Sequence, residues 1–178
     1  MKEMNEIKAI IEGLIFAAET PLSLERITEI LQERGLTRQE ISGWLEALAA
    51  EHRERQGGFV LQEVAGGYQF RTRPELAPWI GRLKAGRPAA LTAAAMETLA
   101  IVAYRQPVVK AEVDRLRGVD AGRPLRTLLE RKLVRILGRK DVPGKPIIYG
   151  TTRKFLEVFS LKDLSELPTL GEIKELTK

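Results

Sequence analysis

Between Leu91 and Thr152 the chain passes through three runs of helical period and then two short alternating runs around a Gly/Pro loop, GRKDVPGK. Helix-period apolar spacing followed by strand-period alternation, with Pro and Gly as punctuation, leaves few folds open. The order predicts a winged helix-turn-helix, the last two runs being the strands of the wing. The first helix is predicted over 92–104, with Thr92 as its N-cap and Gln106-Pro107 as its stop. Met96, Leu99, Val102 and Ala103 form one apolar face, and Ile101 and Tyr104 fall on the opposite side beside Glu97, Thr98 and Arg105. A helix apolar on two faces needs cover on both. Either the rest of the chain supplies the second cover or a partner does.

The same order occurs earlier. Ile7, Ile10, Ile11, Leu14, Ile15 and Ala18 predict a one-faced helix over 3–18 that ends at Thr20-Pro21. Ser23 caps a second helix, with Leu22 and Ile27 spaced as a hydrophobic staple and Gly35 as its left-handed stop. Thr37 and Glu40 make a capping box for a third helix reaching about Arg55, with Trp44 beside Leu45 and Leu48. FVLQEVAGGYQFRTRP then reads as a hairpin turning near Gly66-Gly67, followed by a short helix over 74–84. Pro107 stands where Pro21 stood, Val113 and Leu116 where Ile27 and Ile30 did, and Gly118 where Gly35 did. A repeat of this length marks a duplicated module. The predicted class is therefore mainly α with small β-hairpins (α+β), as two tandem winged helix-turn-helix domains. Residues 1–85 form the first, 86–160 the second and 161–178 a tail whose end frays or folds only against a partner. The third helix of the second domain is expected to begin with Pro124 and to bury Leu125, Leu128, Leu129 and Leu133.

The halves differ in charge. Residues 1–85 carry eleven basic and thirteen acidic side chains, and residues 86–178 carry eighteen and eleven. With 44% hydrophobic and 30% charged residues the chain is globular. No apolar run approaches a membrane span and the first residues are acidic, which predicts a soluble intracellular protein. Cysteine is absent, which excludes disulfides and thiolate metal sites. His52, among Glu51, Arg53 and Arg55, is expected at the surface, so no Ser-His-Asp set, metal spacing or cofactor site is predicted. Gly138 to Lys145 fails as a phosphate loop, because five residues separate its glycines and Pro146 stands where a Ser or Thr is needed.

Two readings remain once enzymes are set aside. One is a DNA-binding transcriptional regulator: residues 105–154 hold fourteen basic against five acidic side chains, which would place Arg126, Thr127 and Arg131 in a groove and Arg139, Lys140 and Lys145 on phosphates. The other is a module that uses winged helices to hold proteins. It accounts for the doubly apolar helix 92–104 and for the first domain, whose third helix carries Glu40, Glu46, Glu51 and Glu54 outward. The residues favour the second.

ETLAIVAYRQP at 97–107, EVDRLRGVD at 112–120, LLERKLVRILGRKDVPGKPIIYGTTRKFLE at 128–157, GLIFAAETPLSLE at 13–25 and GGYQFRTRPELAPWI at 66–80 closely resemble the segregation and condensation protein B family. The likeness covers nearly the whole chain, and its run from Gly138 to Thr152 is highly specific. It implies a non-enzymatic accessory subunit of the condensin-like SMC complex, cytoplasmic and nucleoid-associated. It further implies a homodimer paired through the first domains, and second domains that grip the kleisin subunit, segregation and condensation protein A, which bridges the SMC ATPase heads. DNA contact would be indirect or weak. Carried onto this chain, the kleisin surface falls at Ile101, Tyr104, Arg105, Gln106 and Pro107. The dimer surface draws on helix 3–18 and its neighbourhood, with Ile7, Ile11 and Trp44 as candidates.

Overall fold

The computed structural model describes residues 2–83, 90–169 and 172. They cluster as two compact units, one of Met1–Gly86 with Ser160–Lys178 and one of Arg87–Phe159.

In the first unit, α1 (Lys2–Ala17), α2 (Leu24–Ile30) and α3 (Arg38–Glu54) precede a hairpin of β1 (Phe59–Val64) and β2 (Gly67–Thr72), and α4 (Ala77–Leu83) follows. Ile11, Ile15, Ile27, Ile41, Leu45 and Leu48, periodic positions read from the sequence, are buried together with Leu31 and Leu61. Helix starts are set locally. Ser23 Oγ accepts from the Arg26 amide at 3.2 Å, and Thr37 and Glu40 close a reciprocal capping box. The Thr37 amide and hydroxyl both donate to the Glu40 carboxylate and hold it below the usual carboxylate range. Leu31 ends α2, and Gly35, left-handed at φ 66°, ends the 3-10 turn that follows rather than α2 itself.

The hairpin turns on Ala65 and Gly66, both at positive φ, the conformation that suits the twist of a two-residue connection. Gly67 lies inside β2, one residue past the turn expected at Gly66-Gly67. Next to it, Leu22 and Tyr68 exchange backbone hydrogen bonds of 2.9 and 2.8 Å, so the segment after Pro21 joins the hairpin as a one-residue third strand.

The second unit contains α5 (Ala93–Arg105), β3 (Val108–Val109), α6 (Lys110–Arg117), α7 (Gly122–Glu130), β4 (Val134–Arg139), β5 (Ile147–Thr151) and α8 (Arg153–Phe159). Its sheet has the order β3-β5-β4, antiparallel throughout, with Val108 opposite Tyr149. Here too the residues after a proline supply the third strand, and in both units a tyrosine of the second hairpin strand sits opposite it. Leu99, Val102, Val108, Val113, Leu125 and Leu128 are fully buried or nearly so. The α6–α7 turn is tethered, since Asp114 accepts from the Ala121 amide at 2.7 Å, Asp120 from the Gly122 amide at 2.9 Å, and Lys110 bonds both carboxylates. These bonds start α7 at Gly122, two residues before the expected Pro124. Proline is harmless at the third position, where amides lack helical partners anyway.

Three further sequence expectations change. His52 is buried, 3.0 Å from Glu12 and packed against the rings of Phe59 and Phe70. In α5, Thr98 is fully buried with its hydroxyl donated to the Ala94 carbonyl at 2.8 Å, while Met96 is turned outward and 43% exposed. And the chain from Ser160 does not begin as a free tail: the Ala65 and Gly66 amides donate to the Leu161 and Lys162 carbonyls at 2.8 and 3.0 Å, and Lys162 pairs with Glu63 at 2.9 Å.

Candidate protein-docking surfaces

The buried side of α5 consists of Ala95, Thr98, Leu99, Val102 and Ala103. Spaced four residues apart on the other side stand Met96, Ala100 and Tyr104, all exposed, Tyr104 at 41%. Ile101 is half-buried beside them. Sequence reading found Ile101 and Tyr104 and missed Met96, which hydrophobicity alone assigns to the core. The usable signal was Thr98, whose hydroxyl can return to the preceding turn of its own helix and so tolerates burial.

Past the end of α5 the expected residues separate. Arg105 and Pro107 are exposed. Gln106 is committed internally: its Oε1 accepts from the Thr151 amide at 2.7 Å and the Thr151 hydroxyl at 3.0 Å, and its Nε2 donates to the Ala103 carbonyl at 3.2 Å. It ties α5 to β5 and presents little to a partner. Arg105 instead joins Val108, Glu112, Arg115 and Leu116 around an open hollow of about 420 Å³.

In the first unit Ile11 is wholly enclosed, Ile7 half-buried, and Trp44 half-buried against the core. Ile11 is therefore withdrawn from any surface, because the periodic face from which it was chosen is the core face. The apolar residue that α1 does present is Phe16, 79% exposed. It lines a shallow hollow of about 280 Å³ with Ala9, Glu12, Gly13, Phe59 and Phe70. Single exposed apolar side chains are ordinary, but an aromatic flanked by small residues and two further rings forms a patch.

The cationic candidates are all at the surface. Arg126 projects from α7 with Thr127 half-buried beside it, and Arg131 follows the helix. Arg139 ends β4 and donates to the Lys145 carbonyl at 3.1 Å, and Lys140 lies 3.8 Å from Glu112. In the first unit, by contrast, the wing-tip amides are occupied by residues 161 and 162. Among the described residues no cluster of three or more His, Cys, Asp or Glu could hold a metal, and no helix is long and apolar enough to cross a membrane.

Two winged helix-turn-helix units whose exposed features are apolar patches and open hollows define a tandem winged-helix protein. The family model described as segregation and condensation complex subunit ScpB matches residues 9–170, and the chain belongs to that family. It is 52% identical over 173 residues to segregation and condensation protein B of Syntrophotalea carbinolica, covering 97% of this chain and 86% of that protein. Among solved structures it is similar to ScpB from Mycobacterium tuberculosis, at 33% identity and a TM-score of 0.43, covering 89% of this chain and 97% of that one. It is also similar to a dimer of an ScpB N-terminal domain complexed with ScpA peptide, at 31% identity and a TM-score of 0.42, covering 46% and 99%.

Proposed function

We propose that the chain is a non-catalytic accessory subunit of an SMC–kleisin condensin-like complex, working at the nucleoid as a homodimer that binds and orders the kleisin. The kleisin is gripped by the second unit along Met96, Ile101, Tyr104, Arg105 and Pro107. The SMC ATPase is reached through the kleisin. The single observation that carries this reading is the Met96–Ala100–Tyr104 stripe, an apolar helix side in a charged chain that stays exposed to solvent. Membership in the family supports it. Two second units presented by one dimer to one flexible chain gain by effective concentration, with no deep pocket required.

Tyr104→Ala tests the grip. A partly exposed aromatic at the centre of a docking patch is a usual hot spot, and its loss is expected to weaken kleisin binding about 10–30-fold with the melting temperature nearly unchanged. Calorimetry of the full chain against the full-length kleisin of the same organism reads both constants. Wild-type affinity in the variant would move the grip elsewhere.

We assign pairing of the first units to the Phe16 patch; Ile7 and Trp44 are half-buried against the core and are not part of it. Phe16→Asp sets a charge where an aromatic would be covered and leaves an already exposed position exposed. Sedimentation velocity at micromolar concentration is expected to show a folded monomer. A dimer as stable as the wild type would remove Phe16 from the interface.

A DNA-reading regulator fits less well. The first unit's wing tip is covered by residues 161–162 and its third helix is acidic, which leaves the second unit to meet a duplex, with Arg126, Thr127, Arg131, Arg139, Lys140 and Lys145 as its candidates. Any direct DNA contact is assigned to them, as weak phosphate contact without base reading.

A further inference from the structure

The hollow beyond Tyr104 has a composition that the docking stripe does not explain. Glu112, Arg115 and Leu116 stand at i, i+3 and i+4 on α6 and so share one side of it, facing Arg105 at the end of α5 and Val108 of β3. Its floor and one wall are apolar, Val108 being 1% exposed and Leu116 52%. The side chains of Arg105, Arg115 and Glu112 border the rest of it.

How the charges near it are paired decides what it can accept. Lys110 is held by Asp114 and Asp120, and Arg117 by Glu97 at 3.0 Å. Glu112 has Lys140 at 3.8 Å. Among the described residues no carboxylate lies in ion-pair range of Arg105 or Arg115, so two cations border an apolar floor while the surrounding carboxylates are engaged elsewhere. Arginine at such a place is suited to a planar carboxylate, which it can meet with two parallel hydrogen bonds. A purely apolar occupant would leave both guanidiniums partly desolvated without compensation, and a phosphate backbone would leave Val108 and Leu116 unused beside Glu112.

We propose that the kleisin segment held by this unit seats an acidic side chain next to an aliphatic one in this hollow, the carboxylate between Arg105 and Arg115 and the aliphatic group on Val108 and Leu116. This rests on the kleisin reading above and states what the gripped segment must contain. Arg105 and Arg115 select the segment by charge, and Leu116 fixes its position.

The test is calorimetry of the full chain with the full-length kleisin of the same organism at roughly 0.05 and 0.3 M salt. Arg105→Glu with Arg115→Glu is expected to weaken binding about 30-fold or more at low salt and to flatten its salt dependence. Arg105→Gln with Arg115→Gln serves if reversal disturbs the fold, with a smaller loss in the same direction. Leu116→Ser is expected to lose about 5–10-fold at both salt concentrations. Arg135→Glu, at an exposed position on β4, should change nothing. Wild-type chain that fails to bind the kleisin overturns the kleisin reading itself. Wild-type chain that binds, with both arginine pairs of substitutions neutral, overturns the acidic anchor and leaves that reading standing. Displacement of the kleisin by a short DNA duplex, abolished by the same arginine changes, would also overturn it by making the hollow a phosphate site.

Discussion

Gly67→Ala is expected to destabilise the first unit by about 3 kcal/mol, a fall of roughly 12–24 °C in melting temperature for a unit of this size. A Cβ there would stand 2.9 Å from the carbonyl carbon and oxygen of Leu22 and from the carbonyl carbon of Pro21. All three are backbone, and they belong to the segment that Leu22 pins to Tyr68 by two hydrogen bonds. No rotamer change relieves that contact, so either the bridge breaks or the hairpin shifts off α1. The neighbouring Gly66 gives the contrast. It lies at φ 67° with nothing within 4 Å of the point a Cβ would occupy, so Gly66→Ala costs only left-handed backbone strain, about 1–2 kcal/mol. Thermal unfolding of the two variants side by side separates crowding from strain. Equal melting temperatures would show that the Pro21–Leu22 segment yields easily.

Gln106→Leu is expected to cost about 2–4 kcal/mol in the second unit. The substitution preserves size but leaves the Thr151 amide and hydroxyl, in a buried residue, without the oxygen that accepts from both at 2.7 and 3.0 Å. Stranding a buried donor costs about 1–3 kcal/mol. It also frees the Ala103 carbonyl at the end of α5. Gln106→Glu keeps an acceptor facing Thr151 and is expected to retain most of the stability at neutral pH. If the glutamate variant melts as low as the leucine variant, the acceptor role is wrong. Loss of kleisin binding in Gln106→Leu would follow from unfolding, which sets it apart from Tyr104→Ala, where affinity falls and the melting temperature holds.

What the sequence made legible was whatever is decided within a few residues. The Thr37–Glu40 box and the Ser23 and Thr92 caps are local hydrogen-bond chemistry and stand where they were read, and Gly35 and Gly118 are left-handed, though Gly35 closes the 3-10 turn after α2. The apolar periods of α1, α3 and α7 gave the core. The misses depend on distant residues. His52 has charged neighbours in sequence, but its surroundings are Glu12, Phe59 and Phe70. β3 spans two residues and the Leu22 bridge one, too short to carry a period, so the third strand of each wing was invisible. Candidate surface residues suffered most where they were taken from a periodic face. Ile11 lies on the face that folding consumes, whereas Phe16 and Met96, off the core side of their helices, are the ones left outside. Tyr104 and Ile101 were found because they broke the pattern of an otherwise one-sided helix.

The backbone contacts of Leu161 and Lys162 with Ala65 and Gly66 mean that spatial and linear boundaries disagree in this chain. The second winged helix is an insert within the first unit, and the stretch that resumes after it finishes what was begun before it. Truncation near residue 86 therefore removes a piece of the amino-terminal module along with the whole of the other, and its hairpin tip is left with two bare amides. Separating the modules takes two scissions, and a protein made as its first 86 residues alone is short of its own closing segment.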